Sequence, residues 1–395
     1  MNIIQTDFDL PVKGQCTYLF NANDSNVPLK FNIINNNNSK QSIKFIIDSD
    51  LGINLTIDYD GSNSKKVHGD KGLLNIKGAF YWTSLDSQDQ TIKFGIGEAR
   101  PETTVFEYKM SSDNNEVFEL NKKFMESLST INNISNISKL KILKDPIVNP
   151  VPLKIKKTDE LTMNDVAKYT YLPNSFLNPT NQKLYECISG KKFVLDDDEF
   201  PDFSKAIEYS IATEGCWCNQ KLVDKSTEFN PNNPNISETY LRITMGRNSG
   251  ESPGIPYVME IWPSKHYSPI HSHANANAVI RVLHGSINVK LFPFLSEEEN
   301  IDSFGEANFD KEDITWISPE LNQIHQLKNI NQKQTCITIQ CYMYGSNNNT
   351  HYDYFDYIDD NKKIVQYEPD SDMEFIEFKA LMKKEWSERK KCFFY

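Results

Sequence analysis

Short runs in which apolar and polar residues alternate, separated by Gly, Asn and Asp, dominate the first hundred residues. Ser42–Asp48, Ile53–Asp58 and Thr91–Ile96 each place apolar side chains at every second position, the period of a half-buried strand. With no helix-period segment between them, residues 1–112 are expected to form an antiparallel β-sandwich, with the asparagine run 35–38 as a loop insertion. The period changes at Glu116–Leu128, which predicts a helix. From Ser129 to Lys157 the chain turns rich in Asn and Lys and carries Pro146, Pro150 and Pro152, a linker composition. Residues 113–157 are therefore read as a helix followed by a Pro/Lys-rich linker, and 158–395 as a second domain. Within that domain Thr162-Met-Asn-Asp165 is a capping-box start, Asp202–Ala212 has helical spacing, and Asp372–Trp386 is a closing amphipathic helix expected to pack on the β-core. Strand-like material fills Tyr240–Tyr344. No repeat of solenoid period is present. The chain reads as mainly β: a β-sandwich, then a β-rich domain with flanking helices.

Histidines give the second domain its chemistry. On a strand, His271 and His273 of Ile270-His-Ser-His273 point to the same side. Ala278–Phe292 reads as strand, Gly285 turn and strand, and Asp313–Asn329 as another strand pair carrying His325. Two such hairpins bring three imidazoles together, a metal-binding arrangement with positions left open. His266, His284 and His351 flank the pattern at turns or in polar strings and are read as structural or exposed. Farther on, Thr338, Gln340 and Tyr342 share one strand face and Ile337 and Ile339 the other.

Composition narrows the classes. The 395 residues carry a net charge of −12, which argues against non-specific nucleic-acid binding, and an acidic substrate needs its own local Arg or Lys. No signal-peptide pattern or 18-residue apolar run is present, so the expectation is a cytoplasmic protein with no membrane partner. Seven cysteines at irregular spacing fit reduced thiols, and Cys216-Trp-Cys218 has no second pair at zinc-finger spacing.

The histidine pattern resembles the cupin superfamily, whose fold is a double-stranded β-helix barrel. Ala278 stands at the position of the usual cupin Glu ligand, and Asn322 stands for the Gly of the second motif, followed by His325 and Asn329. Three histidines without the Glu, together with Tyr240-Leu-Arg242 and a Tyr342 seventeen residues past His325, resemble the cysteine dioxygenase family. The resemblance implies His271, His273 and His325 as ligands of Fe(II), Arg242 and Tyr240 at the substrate carboxylate, and Tyr342 (with Tyr344 as its competitor) as the site tyrosine. It implies oxidation of L-cysteine by O2 to cysteine sulfinic acid, or of another small thiol such as 3-sulfanylpropanoate. Two departures stand out. Ala278 cannot form the thioether that animal members make through a Cys at this position, and Gln340 replaces their His. Arg242 also fits a surface strand residue in an ion pair, and Tyr342 a mere wall residue. A zinc cupin acting as a hydrolase or isomerase, and a non-enzymatic cupin binding module, are the rivals. Ala79-Phe-Tyr-Trp-Thr83 and Thr91–Gly97 faintly resemble the β-domain of farnesoic acid methyltransferase-like proteins, which makes 1–112 a candidate binding module for an unidentified ligand.

Overall fold

The alternation read in the sequence becomes sheet throughout the first part of the chain. The computed structural model describes residues 7–76, 79–110, 113–245, 256–297, 301–344 and 355–389; Gly254, His351 and Cys392 lie outside them. Two units are present, Met1–Pro150 and Val151–Tyr395.

The first unit contains β1 (Phe8–Asp9), β2 (Gln15–Ala22), β3 (Leu29–Asn35), β4 (Asn38–Asp48), β5 (Gly52–Asp58) and β6 (Ser64–Gly69). It continues with β7 (Phe80–Asp86), β8 (Thr91–Ile96), β9 (Thr104–Lys109), helix α1 (Asn115–Ser127), β10 (Thr130–Ser135) and β11 (Ile137–Leu143). The strands form a six-stranded sheet ordered β1-β10-β3-β4-β5-β6 and a five-stranded sheet ordered β11-β2-β7-β8-β9. Apolar positions alternate inward: Ile43, Phe45 and Ile47 of β4 are buried, and Phe20 of β2 meets Phe31 of β3 edge-on at 6.0 Å, joining the two sheets. This is a β-sandwich.

The stretch expected to be a linker is partly sheet. β10 pairs with β3 and β11 pairs with β2, so residues 130–143 add a strand to each sheet. Their apolar residues Ile131, Ile134 and Ile137 are buried. Asn133 of β10 and Lys139 of β11, at φ 52° and 49°, sit where each register shifts, and those left-handed residues break the alternation that identifies a strand in sequence. The boundary between the units falls at Pro150, and Lys154–Lys156 is already a strand of the second unit.

That unit comprises β12 (Lys154–Lys156), α2 (Met163–Ala167), β13 (Tyr171–Pro173), α3 (Pro179–Ile188), α4 (Phe203–Ala212), α5 (Trp217–Asp224), β14 (Leu241–Met245) and β15 (Tyr257–Trp262). It then runs through β16 (Asn277–His284), β17 (Ser286–Leu291), β18 (Gly305–Asp310), β19 (Ile314–Ile317), β20 (His325–Lys328) and β21 (Cys336–Met343). β22 (Phe355–Ile358), β23 (Ile364–Tyr367), β24 (Met373–Glu374) and α6 (Phe375–Glu388) complete it. Thr162 and Asp165 form the expected capping box of α2. α3 and α5, which the sequence pattern did not announce, are short helices; the Asn178 side chain caps α3 by accepting from Asn181 N, and Cys216 stands at the N-cap position of α5. Among the described residues no helix is long and apolar enough to cross a membrane.

Neither expected hairpin forms. β16 pairs with β19 and β21, whereas β17 pairs with β18 and β20. Gly285 between β16 and β17, at φ 69°, is a corner at which the chain leaves the eight-stranded sheet β13-β12-β19-β16-β21-β15-β14-β24 for the sheet β18-β17-β20. β19 and β20 are parted between the two sheets in the same way. Periodicity locates strands and turns but carries no information on which strands pair, and this explains the difference. Two facing sheets joined by repeated crossings make the unit a double-stranded β-helix barrel.

The large sheet has two faces. Ile243, Met259, Ile261, Val279, Ile337, Ile339 and Cys341 point to a layer of helices, where Leu184, Phe203, Ile207, Phe378 and Met382 join the same core. The closing helix α6 packs as expected, with Phe378 6.0 Å from Phe203. Burying several such side chains at about 1.5–3 kcal/mol each fixes the sheet. Its other face lines the barrel.

Candidate metal centre

The two sheets leave a cavity between them, and the segment holding the first two histidines closes one wall. Residues 270–272 are not part of a regular strand. They thread between β20 and β22 through isolated bridges: His271 pairs with His325 and with Tyr357. His271 N donates to His325 O at 3.0 Å, and His325 N donates back at 3.1 Å. Ser272 N donates to Asp356 O at 2.7 Å, and Ile358 N to Ile270 O at 3.0 Å. This pairing places His271 beside His325, and the extended backbone returns His273 to the same side. Ring centroids lie 4.7 Å apart for His271–His273, 4.8 Å for His271–His325 and 4.5 Å for His273–His325. Their potential ligand atoms are all within 4.8 Å of one another.

Each ring is oriented by its backbone. The Nδ1 atoms of His271, His273 and His325 meet the carbonyl oxygens of Pro269, Gln323 and Asn322 at 3.0, 3.1 and 3.2 Å. A carbonyl only accepts, so each Nδ1 must carry the proton and each Nε2 keeps its lone pair. That is the tautomer and outer hydrogen bonding that a metal-binding imidazole requires. Asn322, at φ 65°, turns its carbonyl toward His325, which is the left-handed conformation expected at this position. Burial pulls the basicity of His271 down to about 4, with the Pro269 carbonyl opposing. Burial, then the neighbouring His271, takes His325 to about 3. Burial, then His325 and His271, holds His273 well below its usual value. Three neutral imidazoles with no acidic or thiolate partner in the cluster among the described residues fit a divalent metal that keeps its charge and open positions.

β21 supplies the opposite wall. Thr338, Gln340 and Tyr342 all line the cavity, and Ile337, Ile339 and Cys341 face the helices. Tyr342 Oη donates to Gln340 Oε1 at 2.8 Å. Burial, then the nearby Glu260 carboxylate, raises the phenol far above its usual value, so the hydroxyl keeps its proton. Tyr344 stacks on Tyr342 at 6.3 Å and does not line the cavity, which distinguishes the two tyrosines. Ala278 lies directly opposite Tyr342 in the register. Tyr240 lines the cavity and stacks on Trp262 at 4.3 Å.

Arg242 is placed differently from the sequence reading. It is buried, not lining the cavity, and its Nη1 donates to Glu260 Oε1 at 3.1 Å. β14 and β15 put the two residues in register, and both side chains are withdrawn from solvent. Glu260, which does line the cavity, was missed in the sequence. Its signal was present: one carboxylate inside the apolar run Tyr-Val-Met-Glu-Ile-Trp262, where an unpaired charge would be costly. Of the flanking histidines, His266 Nδ1 lies 2.8 Å from Thr239 O and His284 Nε2 3.1 Å from Glu208 Oε1. Both have structural partners away from the cluster.

No family model matches the chain. Solved structures similar to it include an oxalate oxidase, at 15% identity over 23% of this chain and 42% of that one, TM-score 0.19. Others are the cupin_2 domain of an XRE-family transcriptional regulator from Enterobacter cloacae (10% identity, 27% of this chain, 97% of that one, TM-score 0.21) and a sugar phosphate isomerase of the cupin superfamily from Silicibacter pomeroyi (12%, 29%, 67%, 0.20). The chain spans about half the length of the three oxalate oxidase structures, covering 42%, 46% and 53% of them. Several of these neighbours are described as cupins.

Proposed function

We propose that the second unit is a non-haem iron dioxygenase of small thiols, for which L-cysteine is the substrate suggested by the sequence motifs. The observation that supports this most is the set of three carbonyl-tethered, neutral imidazoles with no acidic ligand among the described residues, facing a strand that presents Thr338, Gln340 and Tyr342 across one buried cavity. His271, His273 and His325 would hold the ion. Iron(II) bound there would acidify the thiol and supply the redox chemistry that the reaction of triplet O2 with a closed-shell thiol requires, which zinc does not. The reaction is R–SH + O2 → R–SO2H: sulfur loses four electrons, O2 gains four, and both oxygens and the proton remain in the product.

The chain's own residues supply the rest. Ile280, Val282, Leu291 and Phe309 line the cavity and keep it poor in water, which strengthens every polar contact inside it. Gln340 fixes the direction of the Tyr342 hydroxyl, and burial keeps its proton at Oη. From there the hydroxyl orients the reacting sulfur and oxygen atoms. Tyr342→Phe is expected to lower kcat by about tenfold to a hundredfold with little change in KM, the loss of a hydrogen bond made mainly in the transition state. A variant with unaltered kcat would make Tyr342 a wall residue. The proposal itself is tested by measuring O2 consumption and sulfinate formation with the iron-loaded protein over a panel of small thiols. Bound iron with no thiol-dependent O2 uptake would reject it.

A further inference from the structure

The ion pair between β14 and β15 bears on which way the Tyr342 hydroxyl points its proton. In the register of β15 with β21, Glu260 stands opposite Thr338 and Val258 opposite Gln340. Gln340 is therefore the diagonal neighbour of Glu260 on the cavity face, a separation that two long side chains span. The two ends of the Gln340 amide have different company. Its Oε1 accepts the Tyr342 Oη proton at 2.8 Å. Its Nε2 is buried with no hydrogen-bond partner of ordinary geometry, and the charge it senses is that of Glu260. Burial raises the Glu260 carboxyl, and Arg242 and then the Gln340 amide act against it. Arg242 Nη1 donates to Glu260 Oε1 at 3.1 Å, and a guanidinium keeps its proton in a protein, so the buried carboxyl beside it carries the compensating charge. Turning the Gln340 amide over would exchange its ends. Oε1 would then aim its lone pairs at a carboxylate, two acceptors approaching in a water-poor site, while Nε2 donated to Tyr342 Oη. A phenol has one proton. With the amide as observed, Tyr342 spends it on Gln340 and turns lone pairs to the cavity; with the amide reversed, that proton would be released into the cavity.

We propose that Glu260, paired with Arg242, is a positioning residue that selects the orientation of the Gln340 amide and so makes Tyr342 Oη a hydrogen-bond acceptor toward the bound substrate. The inference rests on the thiol dioxygenase reading for its kinetic consequence and goes beyond it: Tyr342 receives a hydrogen from the bound molecule instead of giving one to it, and the direction is set two side chains away.

The test uses the full chain. In ultraviolet resonance Raman spectra the intensity ratio of the tyrosine ring doublet distinguishes a donating from an accepting hydroxyl, and the difference between the unaltered chain and Tyr342→Phe isolates Tyr342 with neither metal nor thiol added. A donor signature is expected, and an acceptor signature overturns the inference. Replacing both charges at similar volume, Arg242→Met with Glu260→Leu, leaves no buried charge unpaired and should move Tyr342 toward acceptor character. Glu260→Gln, which keeps the shape and removes the charge, gives the same reading if the paired replacement does not fold. An unmoved signature removes Glu260 from the role. With iron(II), L-cysteine and O2, the paired replacement should lower kcat by about tenfold, and by less than about twofold in the Tyr342→Phe chain, because Glu260 acts through that hydroxyl. Equal losses in the two backgrounds would mark a structural role and overturn the inference. No sulfinate from the unaltered chain would reject the dioxygenase reading instead, and the Raman comparison would still decide the direction of the Tyr342 proton.

Discussion

Replacing His325 with alanine is expected to weaken iron(II) binding by more than about a hundredfold, beyond the usual cost of removing only an outer hydrogen-bond partner of a ligand. The fold should survive. His325 is joined to His271 by two backbone hydrogen bonds that do not involve its ring, and the corner before it is shaped by Asn322, whose Nδ2 donates to Trp316 O at 2.8 Å. The ring's structural contribution is its Nδ1–H donated to Asn322 O. Leaving that acceptor unmatched costs about 1–3 kcal/mol. The metal centre loses one of three neutral donors and has no neighbouring acid or thiol to replace it among the described residues. Metal content after dialysis against iron(II), with circular dichroism on the same sample, reads both halves of the expectation. Full iron retention by a folded His325→Ala chain would remove His325 from the ligand set.

The second large effect is on stability. Gly285→Ala is expected to destabilise the second unit by about 2–5 kcal/mol, combining the cost of a left-handed alanine with that of overpacking. Gly285 has φ 69°, and a Cβ built there falls 2.3 Å from Thr335 O and 3.1 Å from Cys336 Cα. Both are backbone atoms at the start of β21, so neither can rotate away as a side-chain tip would. Displacing β21 would also shift Thr338, Gln340 and Tyr342, and activity should fall along with stability. Urea unfolding of this unit reads the effect, and a change below about 0.5 kcal/mol, typical of an unconstrained surface substitution, would mean that the corner is not tight.

Local chemistry was legible in the sequence, and long-range pairing was not. The capping box at Thr162, the amphipathic helix ending near Trp386 and the two faces of β21 follow from rules that act within a few residues, and each is found where the pattern places it. The three histidines were legible as a group because the His271–His273 alternation and the Asn322 turn before His325 are local, whereas the acceptor of His273 Nδ1, Gln323 O, lies fifty residues away. Strand partners are set by contacts between distant residues. Gly285 therefore looked like a hairpin turn and is a corner between sheets. β10 and β11 were hidden because Asn133 in the one and Lys139 in the other break their alternation. Arg242 was the most instructive difference. Its motif pointed to an anion, and the anion it holds is Glu260, brought alongside by the β14–β15 register. That partner lies eighteen residues away, a pairing that neither periodicity nor motif spacing describes.

The central claim, that this cavity adds both atoms of O2 to a thiol sulfur, is tested most directly with oxygen-18. The iron-loaded chain would be mixed with L-cysteine or 3-sulfanylpropanoate under heavy-isotope O2 in ordinary water, and the sulfinate examined by mass spectrometry. The account predicts that both product oxygens are labelled. A sulfinate with one or both oxygens drawn from water would contradict it, since the route would then pass through hydrolysis of a partly oxidised sulfur rather than transfer of the whole O2 molecule.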